Sequence, residues 1–254
     1  SLNITPLKMA DKATRGVAIV LEDLTEKRKL EAQRRLFERM VSPAVISQLD
    51  PDSLHLGGRR ADITTLFADI RGFSLFSATN NPEVLVRVLN LYLAAAAEAV
   101  LQEAGTIDKF LGDGLMAWFN APIPQSDHTL RAIRSALAIR QAVQEVRAKL
   151  PRQFHLSFGV GMHYGEAILG LVGTHNRLDY TAIGDSVNTA KRLQEQAAEG
   201  QILLTQAVAS RVRDQVELQA LGALRMKGRE EPVEVYELLG PRLSEPRAGS
   251  PAAA

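Results

Sequence analysis

Strand-like and helix-like segments alternate along the chain from Ala61 to about residue 238. Short apolar runs predict strands, and longer stretches with apolar residues every three to four positions predict helices. This alternation predicts an α/β or α+β sandwich built on one main sheet. The predicted strands cover about 62–70, 154–164, 166–173, 202–204, 216–226 and 233–238, and the predicted helices about 82–103, 127–149, 186–197 and a segment ending near 212.

Composition excludes several classes of protein. The 254 residues are 46% hydrophobic, enough for one sizeable core, and a formal net charge of +1 gives no basic excess for nucleic acid or a membrane surface. The absence of cysteine excludes disulfides and thiolate metal sites. No uncharged apolar run approaches the ~20 residues that span a bilayer. We therefore expect a cytoplasmic fragment without nucleic-acid or membrane contact, from a full-length protein that could itself be membrane-anchored.

The stretch TTLFADIRGFSLFS, residues 64–77, predicts a buried strand interrupted by a carboxylate. Asp69 stands within the apolar run, where an unpaired charge is costly, so it needs a cation or a hydrogen-bond donor. Gly72 and Phe73 follow closely. The glycine would let the backbone approach phosphates, and Phe73 would anchor the turn in the core.

A second carboxylate lies in TIDKFLGDGLMAWF, where two apolar runs flank Gly112, Asp113 and Gly114. This pattern predicts a hairpin, because the glycines supply the positive φ angles of a tight turn. Taken alone, Asp113 is best explained as a turn residue. Paired with Asp69, it forms the partial oxygen-ligand set that Mg²⁺ accepts while leaving room for substrate phosphates. Two such carboxylates can hold two ions.

The stretch DYTAIGDSVNTAKRLQEQA predicts a helix capped by Asp185 or Ser186. Asn188 and Arg192 are four residues apart and project from the same side of this helix, where they can contact a ribose and a phosphate. The alternative is a surface ion pair between Arg192 and Glu195. The predicted buried face consists of Val187, Ala190, Leu193 and Ala197.

Five stretches, FADIRGF, DKFLGDGLMAWF, GVGMHYGEAILGLVG, DYTAIGDSVNTAKRL and MKG, follow in this order between roughly residues 60 and 238. In order and spacing they resemble the catalytic domain of the class III nucleotidyl cyclases, which are adenylate and guanylate cyclases. The resemblance implies a central, mostly antiparallel sheet flanked by helices, the ferredoxin-like, palm-like cyclase fold. It assigns residues 57–240 to this domain, with a linker helix before it.

The resemblance also implies a metal site. Asp69 and Asp113 would bind two Mg²⁺ or Mn²⁺ ions with help from the Ile70 carbonyl. Lys227, in a turn before the final strand, would reach the triphosphate as a point charge. Its alternative is a solvated loop residue.

Four further positions follow from the same resemblance. It gives Asn188 and Arg192 to the ribose and the transition-state phosphate, and Lys109 and Thr181 to base selection. Lysine with threonine favours ATP, because lysine can donate to adenine N1 and the hydroxyl can accept from the exocyclic amine. Thr181 is also typical of a subgroup that includes bicarbonate-stimulated cyclases, so stimulation by bicarbonate is a hypothesis.

The implied reaction is attack by the ribose 3′-oxygen of ATP on its α-phosphate, giving 3′,5′-cyclic AMP and pyrophosphate. No side-chain nucleophile is needed, and no general base stands out in the sequence. The family shares its active site between two subunits. Since this chain carries both sets of residues, the resemblance implies a head-to-tail homodimer with two equivalent sites.

The N-terminal stretch GVAIVLEDLTEKRKLE resembles the last strand of a PAS sensor domain and its exit helix. On this basis residues 1–24 end the sensor domain, and residues 25–56 form a helical signalling linker. A solvated helix packed on its own domain is the alternative for the charged segment. Residues 241–254, which include EPRAGSPAAA, are expected to be a disordered tail.

Three competing functions remain at this point. An idle relative that only binds nucleotide would lack the metal-binding carboxylates, which are present here as Asp69 and Asp113. A diguanylate cyclase would carry a GGDEF-type hairpin, which differs from the turn at residues 112–114. A polymerase or nuclease would use paired carboxylates within a basic groove, and the near-neutral charge disfavours it.

Overall fold

The structure, a computed structural model, describes residues 2–8, 14–21, 23–31, 57–174, 177–226 and 231–242. The chain divides into two compact units, Ser1–Ile46 and Ser47–Ala254. In the first unit, strands β1 (Leu2–Lys8) and β2 (Thr14–Leu21) form an antiparallel pair, and residues 25–31 are helical. A strand followed by a helix agrees with the prediction, although β1 was not predicted. The PAS-like assignment stays a prediction, and residues 32–56 of the linker lie outside the described residues.

The second unit is built on one large sheet. Its strands are β3 (Gly57–Arg71), β4 (Thr106–Phe110), β5 (Gly114–Phe119), β6 (Ser157–Thr174), β7 (Arg177–Ile183), β8 (Ile202–Thr205), β9 (Val216–Leu224) and β10 (Val233–Pro241). Their order is β4-β5-β3-β6-β8-β10-β9, with β7 also paired to β6. The β6–β8 pair is parallel and the other pairs are antiparallel. The predicted mostly antiparallel sheet is confirmed.

Helices cover both faces of this sheet. They are α1 (Phe73–Thr79), α2 (Pro82–Gln102), α3 (His128–Ala148), α4 (Asp185–Gln196) and α5 (Gln206–Val212). Residues alternate along β3, so that Leu66 and Ala68 join the core beneath α2 and α3, while Ile63 and Phe67 join the core beneath α4. The same alternation directs Asp69 toward the α4 face.

Pairing between β3 and β6 corrects two predicted boundaries. The ladder runs without a break from Gly57 opposite Leu171 to Arg71 opposite Ser157. Residues 57–60, GGRR, therefore belong to β3, which begins at Gly57, before the predicted start at about residue 62. For the same reason β6 is one long strand where two were predicted. Hydrogen bonds to a neighbouring strand outweigh the local signal of the glycines.

Three further elements differ from their predictions. Helix α1 and strand β7 were not predicted. Strand β10 extends to Pro241, one residue into the predicted tail, and residues 243–254 lie outside the described residues. Strand β7 forms because β6 offers it a free edge from Ile168 to Thr174.

Helix α2 is unusually apolar. By length and composition it could cross a membrane, with a mean hydropathy of 1.8 over 18 residues, which the sequence analysis had not anticipated. Core helices of folded domains pass the same test. The inner face of α2 supplies Val88, Tyr92 and Ala96 to the main core, whereas Val86 and Leu91 are exposed. We therefore describe α2 as part of the folded unit.

Candidate active site

The two predicted metal-binding carboxylates lie together at one end of β3. Asp69 stands opposite Gly114 in the β3–β5 ladder, and the amide of Ile70 donates to the carbonyl oxygen of Asp113 at 3.1 Å. Gly112 supplies the positive φ of the turn, at 77°. Gly114 is needed for a different reason: a Cβ at this position would lie 2.5 Å from Asp69 Oδ1. The hairpin tip is thus held against the strand end.

Two carboxylates and two cationic side chains influence one another at this end of the sheet. Burial raises the pKa of Asp69, and the nearby Asp113 carboxylate raises it further, while Lys191 and Arg71 act in the opposite direction. A divalent cation would relieve this repulsion, so the pair fits a metal site. No group of three or more histidine, cysteine or acidic residues that could hold a metal occurs among the described residues. Further ligands would have to be backbone oxygens, water and substrate.

The glycine and phenylalanine that follow β3 begin helix α1. Gly72 is its N-cap, with φ 72°, and open space surrounds the position a Cβ would take. Phe73 is half-buried against the main core, with its ring centroid 6.1 Å from that of Phe76. This packing agrees with the expectation that Phe73 anchors the turn. The approach of Gly72 to phosphates stays a prediction.

Helix α4 has the predicted buried face and a different cap. The four residues predicted for that face are all buried: Val187, Ala190, Leu193 and Ala197. The N-cap is Gly184, one residue before the predicted positions. Ser186 instead donates from its hydroxyl to the carbonyl oxygen of Glu166 at 2.7 Å, which ties the start of α4 to β6.

Asn188 and Arg192 lie on α4 as expected from their spacing. Asn188 is exposed, and Arg192 is half-buried. The Nη1 atom of Arg192 is buried without a hydrogen-bond partner, and no ion pair joins Arg192 to Glu195 in the described part of the chain. The alternative of a surface pair with Glu195 is therefore wrong. A buried, unpaired guanidinium donor is costly and favours an anionic ligand at this position.

The two residues predicted to select the base, Lys109 and Thr181, meet through Asp108. The hydroxyl of Thr181 donates to Asp108 Oδ2 at 2.7 Å, and Lys109 Nζ lies 3.7 Å from Asp108 Oδ1. The β6–β7 segment brings Thr181 to β4, and it also places the ring centroid of Tyr180 6.3 Å from that of Trp118. Residues 73 positions apart thus form one small polar cluster.

Residues 58–240 match the family of the adenylate and guanylate cyclase catalytic domain. The chain belongs to this family. The matched range nearly coincides with the predicted domain, residues 57–240. Cyclases of this family use divalent metal ions, in agreement with the chemistry of the carboxylate pair.

Two curated cyclases are similar to this chain. Adenylate cyclase 1 of Rhizobium meliloti (strain 1021) is 36% identical over 198 residues, covering 74% of this chain and 30% of that protein. Adenylate cyclase of Anabaena cylindrica is 32% identical over 228 residues, covering 83% and 44%. The chain spans less than half the length of these relatives.

Two solved structures share the cyclase fold with this chain. The adenylyl cyclase CyaB from P. aeruginosa has a TM-score of 0.69 at 30% identity, covering 77% of this chain and 100% of that one. The guanylyl cyclase Cya2 has a TM-score of 0.68 at 32% identity, covering 76% and 98%. Because one is an adenylyl and the other a guanylyl cyclase, overall similarity does not choose the purine. That choice depends on individual side chains.

The cyclase domain keeps its predicted site residues in separate groups. Within the described ranges, no hydrogen bond or ion pair joins Asp69 or Asp113 to Lys109, Thr181, Asn188 or Arg192. Lys227 lies outside the described residues, so its role stays a prediction.

Sequence reasoning missed two residues at this site. Asp108 carries the same signal as Asp69, a carboxylate in an apolar strand, and could have been found by the same argument. Lys191 influences Asp69 because α4 packs over the sheet, and no local pattern indicates that contact.

Proposed function

We propose that this chain is the catalytic part of an adenylate cyclase, which converts ATP to 3′,5′-cyclic AMP and pyrophosphate in intracellular signalling. The observation that carries the proposal is the pairing of Asp69 with Asp113 in a domain of the cyclase family. Two neighbouring carboxylates that repel each other are suited to a divalent metal ion and the triphosphate it carries. The alternative of an idle relative is disfavoured because both carboxylates are present.

The metal ligands in this proposal are Asp69, Asp113 and the Ile70 carbonyl. Two bound Mg²⁺ or Mn²⁺ ions would favour the 3′-alkoxide of the ribose and neutralise the leaving pyrophosphate. In the reaction the 3′-oxygen forms a bond to the α-phosphorus as the bond from that phosphorus to the bridging oxygen of pyrophosphate breaks. The proton of the 3′-hydroxyl passes to water.

The protein's own side chains orient the substrate and stabilise charge. Asn188 hydrogen-bonds the ribose, and Arg192 stabilises the charge that develops on the α-phosphate. The buried, unpartnered Nη1 of Arg192 supports this role, since an anion would satisfy it. Lys227 is assigned to the triphosphate, and Gly72 to the close passage of backbone beside the phosphates.

Lys109 and Thr181 favour ATP over GTP. Lysine donates to adenine N1, an acceptor, and the threonine hydroxyl accepts from the exocyclic amine. Guanine carries a donor at N1, which would oppose the lysine. Their meeting at Asp108 supports a common role.

The proposed assembly is a head-to-tail homodimer with two equivalent sites. Supporting it, no hydrogen bond or ion pair joins the carboxylate pair to Lys109, Thr181 or Arg192 inside the described part of one chain. A second copy would bring its Lys109, Thr181 and Arg192 to the nucleotide bound at the metal site of the first copy. Each site would then need both subunits.

Bicarbonate is proposed as an activator because threonine occupies position 181. The test compares cyclic AMP formation in bicarbonate and in chloride at one fixed pH. A higher rate in bicarbonate supports the proposal, and equal rates exclude it.

The experiment that tests the activity incubates purified protein with ATP or GTP and with Mg²⁺ or Mn²⁺, and measures cyclic nucleotide and pyrophosphate. We expect cyclic AMP from ATP, lost in Asp113→Ala. A dimeric protein that makes no product from either nucleotide would contradict the proposal. Cyclic GMP as the main product would contradict the assignment of the base.

A further inference from the structure

Asp108 is a buried carboxylate to which the resemblance to other cyclases gave no role. Its side chain is only 1% exposed. It lies at a shift in register between Ile107 and Lys109, where β4 bulges against β5. A bulge changes the direction in which a side chain points, and bulges are common beside active sites. Here the Asp108 side chain meets β7, on a distant part of the chain.

The contacts of Asp108 differ at its two oxygens. Oδ2 accepts a hydrogen bond from the Thr181 hydroxyl at 2.7 Å. Oδ1 is buried, accepts no hydrogen bond, and has Lys109 Nζ at 3.7 Å. Burial raises the pKa of Asp108, and Asp179 does so as well, while Thr181 and Lys109 lower it. The carboxylate is thus held between the two base-selecting residues.

The hydrogen bond has a direction, and the direction matters for recognition. A threonine hydroxyl has one hydrogen to donate and two lone pairs that accept. An ionised carboxylate can only accept. Because Thr181 gives its hydrogen to Asp108, its oxygen can offer a ligand nothing but lone pairs. A purine group that faces the Thr181 oxygen must therefore be a hydrogen-bond donor. The adenine amine is a donor, whereas the guanine O6 is an acceptor and does not fit.

We propose that Asp108 determines the purine preference of this enzyme by fixing the direction of the Thr181 hydrogen bond and by holding Lys109 beside it. Asp108 is a positioning residue, since it acts through these two side chains and does not touch substrate. The inference rests on the proposed cyclase function. It adds the reason why the Thr181 hydroxyl accepts a hydrogen bond from the base. It makes the base-selecting unit three residues, Asp108, Lys109 and Thr181.

The test is the substitution Asp108→Asn, which keeps shape and removes charge. An amide can accept from the Thr181 hydroxyl or donate to it, so the hydroxyl becomes free to donate to a ligand. We expect the ratio of kcat/KM for ATP to that for GTP to fall by about tenfold or more, as for one misdirected buried hydrogen bond. Asp108→Ser, which can also donate or accept, should give the same loss if the asparagine variant does not fold.

Two comparisons separate this role from a merely structural one. Asp179→Asn removes a charge from the exposed surface of β7 near Thr181 and keeps the hydrogen bond between Thr181 and Asp108. Its ratio of kcat/KM for ATP to that for GTP should therefore match that of the wild type. Thr181→Val removes the hydroxyl that Asp108 orients. In that background, Asp108→Asn should change the ratio much less than it does alone, because the two residues act as a unit.

Binding provides a readout that does not require turnover. The nucleotides 3′-deoxyATP and 3′-deoxyGTP lack the attacking hydroxyl, and their affinities should show the same loss of preference in Asp108→Asn. A variant that loses activity equally with both nucleotides and keeps the wild-type ratio would overturn the role of Asp108 and leave the cyclase assignment intact. A wild-type protein that neither binds nor converts either nucleotide would overturn the proposed function, and this inference with it.

Discussion

The amide nitrogen of Ile70 donates to the carbonyl oxygen of Asp113 at 3.1 Å. This bond joins the end of β3 to the turn between β4 and β5, and so fixes the backbone that carries both acidic side chains. A metal site needs this rigidity, because its ligands must hold their positions before the ion arrives.

Metal binding should depend on both carboxylates. We expect Mn²⁺ to raise the melting temperature of the wild type and to have no such effect on Asp69→Asn or Asp113→Asn, since ligand binding to the native state stabilises it. Without metal, Asp69→Asn should be as stable as the wild type or more stable by at most about 1 kcal/mol, because the relieved repulsion is screened by water. Asp62→Asn, at an exposed position of β3, serves as the control and should keep the Mn²⁺ response. An undiminished response in Asp69→Asn would refute the site.

The two glycines of the hairpin should respond differently to alanine. Gly114→Ala places a Cβ 2.5 Å from Asp69 Oδ1, so we expect activity to fall by about 100-fold through displacement of that carboxylate. Gly112→Ala meets no atom within 4 Å but must adopt a positive φ, which costs about 1–2 kcal/mol. It should lower stability more than Mn²⁺ affinity. Urea unfolding and Mn²⁺ titration of both variants measure the contrast, and equal Mn²⁺ affinities would argue against it.

A shared active site should be visible in mixtures of inactive variants. Asp69→Ala and Arg192→Ala damage opposite halves of each proposed site, so a mixed dimer keeps one intact site. With random equal mixing, about a quarter of wild-type activity should return. Mixing Asp69→Ala with Asp113→Ala is the control, because both damage the same half and no intact site can form. Recovery in that control, or none in the first mixture despite demonstrated mixed dimers, would contradict a shared site.

Arg192 should matter for catalysis and little for folding. Arg192→Ala should lower kcat by roughly 100-fold or more, as for loss of one group that stabilises transition-state charge. Its urea midpoint should not fall, because the side chain forms no ion pair and has a buried nitrogen without a partner. Glu195→Ala, three residues along the same helix, should leave both measurements unchanged. A lower urea midpoint in both variants would restore the surface ion pair as the explanation of Arg192.

Stability should fall as the pH is lowered, in part through His128. Burial lowers the pKa of His128, and Arg211 lowers it further. The unfolded chain therefore takes up the proton first, near its ordinary value of about 6.5. Stability is complete above that pH and is lost below it, down to the folded pKa, by at most about 1.4 kcal/mol per pH unit.

The measurement compares urea unfolding at pH 7.5 and pH 5.5 for the wild type and for His128→Asn. The asparagine can keep a hydrogen bond to Thr64, the present partner of His128 Nδ1 at 2.9 Å. We expect a smaller pH dependence in the variant. An unchanged dependence would show that other groups are responsible.

Local chemistry made several features predictable. The hairpin around Asp113 follows from Gly112, because glycine readily adopts the positive φ that this turn requires. The buried face of α4 follows from the helical period, and the burial of Phe73 from the need to anchor a turn. These depend on neighbours within one helical turn or one hairpin, where the sequence specifies the structure directly.

Other features depend on which distant segments meet. The continuous β6 and the start of β3 at Gly57 required the pairing of strands about a hundred residues apart. The strand β7 required the free edge of β6, to which it pairs from Ile168 opposite Ile183 to Thr174 opposite Arg177. The contact of Lys191 with the Asp69 environment required the packing of α4 over the sheet. The cap at Gly184 also depends on this packing, because Ser186 is drawn to Glu166 of β6.

The sequence by itself determined the family and the chemical groups of the site: two carboxylates, a lysine with a threonine, and an asparagine with an arginine. It could do so because these residues stand in motifs of fixed order and spacing. Only the tertiary structure decided that Asp69 and Asp113 converge and that Thr181 donates to Asp108 across 73 residues. Charge repulsion and the direction of a hydrogen bond are properties of atoms in contact. Here those contacts form because strands that lie far apart in the chain pair with one another.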